Sequence, residues 1–137
     1  MPSPDHTKTL VRRYLDAFNA SDFDAMEATL HEDVAHDVNQ GEREIGREAF
    51  RRFNLEMARH YDEQLSDIVV MVDETGGRAA AEFTVRGTYR ETQGDLPAAS
   101  GQSYSLPAAI LFEVDDERIT RVTTYYNLSE WKRQVGG

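Results

Sequence analysis

The hydrophobic period of this chain changes once, near Gln64, and that change restricts the fold more than any other feature. Before it, apolar side chains recur every three to four residues. Leu10, Val11, Tyr14, Leu15 and Phe18 form one stripe; Ala49, Phe50, Phe53, Met57 and Tyr61 form another. After it come runs rich in Val, Ile, Thr, Phe and Tyr with apolar and polar residues alternating, the period of a strand with one buried face. Helices first and an antiparallel meander second make an α+β domain, and 137 residues are enough for one domain, 1–137, with a core of its own.

The spacing predicts helices over 4–19, 23–30 and 47–60, a short strand over 34–38, and long strands over 64–73, 78–91, 102–114 and 118–126. Ser3-Pro4 is a cap followed by a first-turn proline, and Ser21 or Asp22 can cap the second helix. Thr75-Gly76-Gly77 and Asp115-Asp116-Glu117 read as tight hairpin turns. The segment 92–101, "TQGDLPAASG", is a longer polar loop expected to move, and the tail "NLSEWKRQVGG" makes a last helical turn or two.

Composition removes several function classes. Without cysteine there is no thiolate nucleophile, sulfur-ligated zinc or iron–sulfur cluster. A net charge of −10 opposes binding to a polyanion, so nucleic acid is not an expected partner. The opening Met1-Pro2-Ser3-Pro4-Asp5 carries no basic and apolar leader, and no apolar run approaches the ~20 residues that span a bilayer, so a soluble, cytoplasmic protein without a membrane partner is expected. The four histidines, at 6, 31, 36 and 60, lack the spacing of a local metal site; no GxGxxG, GxxxxGK or GxSxG occurs, and neither a metal nor a cofactor is expected.

"VAHDVNQGEREIG", residues 34–46, sets His36 beside Asp37 on the short strand. Alternation places Val34, His36 and Val38 on one face and Ala35 and Asp37 on the other, so His36 should point toward the core. An inward imidazole can be a proton shuttle or a neutral, hydrogen-bonded core residue. Asp37 joins it only if the Asn39-Gln40-Gly41 segment bulges the strand.

The order of elements, with "YLDAFNASDFDAMEATLHEDV", "HDVNQGEREIGREAFRRF", "RAAAEFTVRGTY" and "RVTTYYNLSEW", resembles the SnoaL-like and ketosteroid isomerase-related branch of the nuclear transport factor two-like superfamily. The resemblance implies a cone of three helices on a curved, mostly antiparallel sheet, an apolar pocket inside it, and a homodimer formed through the sheet's outer face. It also implies a catalytic tyrosine on the first helix, which falls on Tyr14, itself also an ordinary core position. The implied carboxylate base falls on or near Val38. The implied protonated acid falls near Ala109 or Ile110, neither of which donates a hydrogen bond, so the isomerase oxyanion pair is incomplete.

The leading expectation is an isomerase, dehydratase or cyclase acting on an apolar carbonyl compound, with His36, Tyr14 and Asp37 as catalytic candidates. A small apolar or aromatic ligand would be lined by Phe18, Val38, Phe53, Phe83, Tyr89, Tyr104 and Tyr125, with alternation leaving open which of Tyr125 and Tyr126 turns inward. The alternative is a non-catalytic ligand-binding or dimerisation domain.

Overall fold

Ser3 Oγ accepts a hydrogen bond from the His6 amide at 3.2 Å and Pro4 occupies the first turn, so helix α1 (Pro4–Asn19) begins at the cap its sequence provides. The structure, a computed structural model, describes residues 2–136; Met1 and Gly137, the ends of the expected 1–137 domain, lie outside the described residues. Leu10, Val11, Tyr14 and Leu15 are buried along one face of α1.

Asp22 caps α2 (Phe23–Ala28), which stops two residues short of the expected end because Leu30 already opens β1 (Leu30–Val38). A two-residue strand, β2 (Glu44–Ile45), pairs back on β1 and was not foreseen. Helix α3 (Arg47–His60) passes directly into β3 (Tyr61–Val72), with no loop residue between them. The meander continues through β4 (Arg78–Tyr89), β5 (Ser103–Asp115) and β6 (Arg118–Tyr126). The tail forms a fourth helix, α4 (Leu128–Gly136), burying Trp131 and Val135.

The six strands form one sheet in the order β2-β1-β6-β5-β4-β3; only the β1–β6 pair is parallel. One face receives α1, α3 and α4; the other is open among the described residues. The core joins α1 to the inner face through Val11, Phe112, Ile119 and Val122, each at most 1% exposed. Truncating such a residue as Phe112 to alanine would cost about 3–5 kcal/mol.

The β3–β4 turn explains one of its glycines. Gly76 has φ +78°, and a Cβ there would lie 2.6 Å from the Ser3 backbone, while Thr7 donates its hydroxyl to the Gly76 carbonyl at 2.6 Å. Among the described residues, no helix is long and apolar enough to cross a membrane.

Candidate active site

Between the helices and the inner sheet face lies a cavity of about 160 Å³, room for about five waters at liquid density. Helix α1 contributes Tyr14 and Phe18, α3 contributes Phe50, Phe53 and Met57, and α4 contributes Trp131. These rings follow from the 3.6-residue period: the stripe that packs a helix on the sheet also faces whatever space the sheet leaves.

Strand β1 sends His36 and Val38 into the cavity. His36 is 4% exposed, and its ring lies 4.4 Å from Phe50 and 4.5 Å from Phe53, centroid to centroid. Burial among these rings lowers its pKa to about 4, against an opposing pull from the Asp37 charge, so the imidazole is neutral at pH 7. Among the described residues its ring has no hydrogen-bond partner, and the same holds for the hydroxyls of Tyr14 and Tyr126. None of these polar atoms is sealed in, so each looks onto open space in the cavity.

Sequence reasoning missed the carboxylate. Glu63, on β3, lines the cavity and accepts a hydrogen bond from Tyr104 Oη at 2.5 Å. Burial raises its pKa above the ordinary carboxylate range and nearby Asp62 adds to the rise, while the tyrosine hydrogen bond opposes both. Desolvation likewise raises the pKa of Tyr14, Tyr61 and Tyr104, which remain protonated donors. No Lys, Arg or Asp lines the cavity among the described residues, so Glu63 is its one strongly acidic group. A strand starting at Tyr61 puts Tyr61, Glu63 and Leu65 on the inner face; the expected start at Gln64 hid that alternation.

Of the anticipated residues, Tyr14, His36, Phe18, Val38, Phe53, Phe83 and Tyr104 all line the cavity; Asp37, Tyr89 and Tyr125 do not. Asp37 lies on the outer face, held by Arg43 at 2.7 and 2.9 Å and by Thr123 at 2.8 Å. The Arg43 hydrogen bonds lead in lowering its pKa to about 2, so it is anionic and turned away from any ligand of the cavity. Tyr89 is fully buried behind the lining, stacked 5.4 Å from Tyr61, with its hydroxyl donating to Pro97 O at 2.7 Å and accepting from the Gln93 amide at 3.0 Å. Those bonds tie down the loop after β4, the segment expected to move.

Tyr125 is 42% exposed, and Tyr126 takes the inward place. The reason is an irregularity in β6: Ile119 and Val122 are both buried, three residues apart, which shifts the inward phase from odd to even positions.

Comparison with known proteins adds family and fold. Residues 11–122 match the family model of the SnoaL-like domain. A proposed polyketide cyclase from Xanthomonas campestris pv. campestris is 53% identical, with TM-score 0.93 over 96% of this chain and 97% of that one. Another, from Silicibacter sp. TM1040, is 48% identical, with TM-score 0.95 and both chains covered completely, at 100%. An NTF2-like protein from Burkholderia xenovorans LB400, 12% identical over 98% of this chain and 99% of that one, has TM-score 0.77, a likeness of fold alone. No curated protein matches.

Proposed function

Because this chain belongs to the SnoaL-like domain family, we propose that it is a cofactor-independent enzyme that moves protons at carbon next to a carbonyl, with Glu63 as the base and then the acid. Glu63 carries this assignment: a carboxyl of raised proton affinity, inside an apolar cavity and fixed by a tyrosine hydroxyl at 2.5 Å, is what such chemistry requires near neutral pH.

The steps balance within the cavity. The Glu63 carboxylate takes an α-proton, and the electron pair moves onto the carbonyl oxygen as an enolate. The Tyr14 and Tyr126 hydroxyls and a neutral His36 are donors placed to serve that oxygen. Protonated Glu63 then returns the proton to a different carbon in an isomerisation, to a departing hydroxyl in a dehydration, or to the new alkoxide when the enolate carbon closes a ring on a second carbonyl. His36 thus serves as an uncharged hydrogen-bonding group rather than a proton shuttle, since its imidazole is neutral well below pH 7.

Ring closure is the form favoured by the proposed polyketide cyclases that share about half of this sequence. The ligand is uncharged, because the cavity offers no cation among the described residues and its carboxylate repels another. Pairing of two copies through the outer sheet face is supported by the exposure of Val69 (52%), Met71 (50%) and Tyr125 (42%) there.

The test is proton exchange in D2O, followed by NMR over a panel of apolar mono- and diketones. The wild type should exchange the α-protons of at least one member, and Glu63→Gln should slow that exchange by about 10²–10⁴-fold. A panel member that binds but is not exchanged would favour a non-catalytic binding domain.

A further inference from the structure

Gly87 stands inside β4, two residues before its end and paired on both sides, and its φ is not in the left-handed region, so no turn or left-handed backbone requires a glycine there. A glycine inside a strand weakens it and often marks a close approach. Here the approaching group is Tyr104. In the register of the sheet, Glu63 of β3 stands opposite Gly87, and Gly87 stands opposite Tyr104 of β5. Glu63 and Tyr104 are therefore two strands apart, about 10 Å between their backbones, yet the tyrosine hydroxyl reaches the carboxylate at 2.5 Å. The ring crosses β4 over Gly87. A Cβ at that glycine would lie 2.4 Å from Tyr104 Cζ and Oη and 2.7 Å from Cε2, closer than real contacts allow.

We infer that Gly87 is a positioning residue for Glu63: by presenting no side chain it seats the Tyr104 ring across β4 and delivers its hydroxyl to the carboxylate. The clash from an added methyl falls on the far end of a side chain, not on backbone, so the ring moves and the strand stays. Tyr61 and Trp131 pack edge-on against that ring, with centroids at 6.4 and 6.0 Å, and help hold it in this seat. The inference deepens the role proposed for Glu63, although the seat itself is a matter of geometry.

The experiment is an NMR titration of the Glu63 carboxyl in 13C-glutamate-labelled protein, its signal identified by its loss in Glu63→Gln. Removing a hydrogen bond that favours the carboxylate raises its proton affinity. Tyr104→Phe and Gly87→Ala should each raise the midpoint by about one pH unit, a tenfold change, and the double variant should move it no further than either alone. The pH profile of α-proton exchange should shift in the same direction. A folded Gly87→Ala with the wild-type midpoint overturns the inference, as does an unchanged midpoint in Tyr104→Phe.

If Gly87→Ala does not fold, stability decides. Gly87→Ala should then be tolerated in a Tyr104→Ala background, and failure to fold there as well overturns the inference. A midpoint that moves as expected while Glu63→Gln still exchanges protons would sink the catalytic role of Glu63 and leave the seat of Tyr104 standing.

Discussion

Thr123 on β6 donates its hydroxyl to Asp37 on β1 at 2.8 Å, on the sheet face turned away from the cavity. The neighbour of Asp37 in sequence, His36, lies on the other face, 4% exposed among aromatic rings. The sheet separates the two into an anionic surface group and a neutral interior one. The folded-state pKa of Asp37 is lowered from 3.8 to about 2, so its contribution to stability is present above pH 4 and disappears as pH falls toward 2. With Arg43 more than half exposed, solvent screening limits that contribution. Asp37→Asn should lower stability by about 1 kcal/mol at pH 7 in urea unfolding, and the gap should narrow as pH falls from 4 through 2; α-proton exchange should not change.

Glu63 must be ionised to accept a proton. Its pKa is raised by burial, so the exchange rate should climb with pH through a midpoint above the ordinary 4.5 of a glutamate and then level off. Burial lowers the His36 pKa to about 4, below that midpoint. His36→Gln should therefore lower the plateau and leave the midpoint in place. A midpoint that moved with His36→Gln would assign the titration to the imidazole.

Tyr14→Phe removes a hydroxyl that has no hydrogen-bond partner among the described residues and keeps the ring's edge contacts with Phe112 and Phe50, at 5.3 and 6.3 Å. Stability should change by less than about 1 kcal/mol, whereas loss of one donor to a developing oxyanion should slow exchange by about 10²-fold. Thermal unfolding and exchange kinetics on the same sample separate the two effects. A large loss of stability would make Tyr14 a packing residue instead.

Met71, half exposed on the outer face of β3, offers a test of pairing. Sedimentation velocity at micromolar concentration should show a dimer for the wild type and a monomer for Met71→Glu, with unchanged far-ultraviolet circular dichroism. A monomeric wild type removes the outer face as an interface.

Much of this arrangement is legible in the chain because it depends on period. The stripe through Tyr14 and Phe18 and the alternation of Val34, His36 and Val38 each name a direction, and the structure places those side chains along it. What escapes the period is phase. Helix α3 runs into β3 at His60-Tyr61 without a glycine, proline or turn to mark the junction, so Tyr61 is read with the helical stripe and Asp62 and Glu63 are assigned to no face. In β6 the irregularity between Ile119 and Val122 reverses inward and outward, which exchanges Tyr125 for Tyr126. Tyr89 has the right parity but is claimed by Pro97 and Gln93, a contact between a strand and the loop that follows it, which alternation does not describe.

The parallel pairing of β1 with β6 sets the order of assembly. Strands β1 and β2 join the rest of the sheet only through β6, the last strand made. A growing chain on the ribosome can complete the meander from β3 to β5 yet offers the wall that carries His36 and Val38 no strand of that meander to pair with until residues 118–126 emerge. The ligand chamber is therefore a product of the finished chain, one of its walls held by strand pairing between residues 30–38 and 118–126, the kind of long-range contact that slows folding.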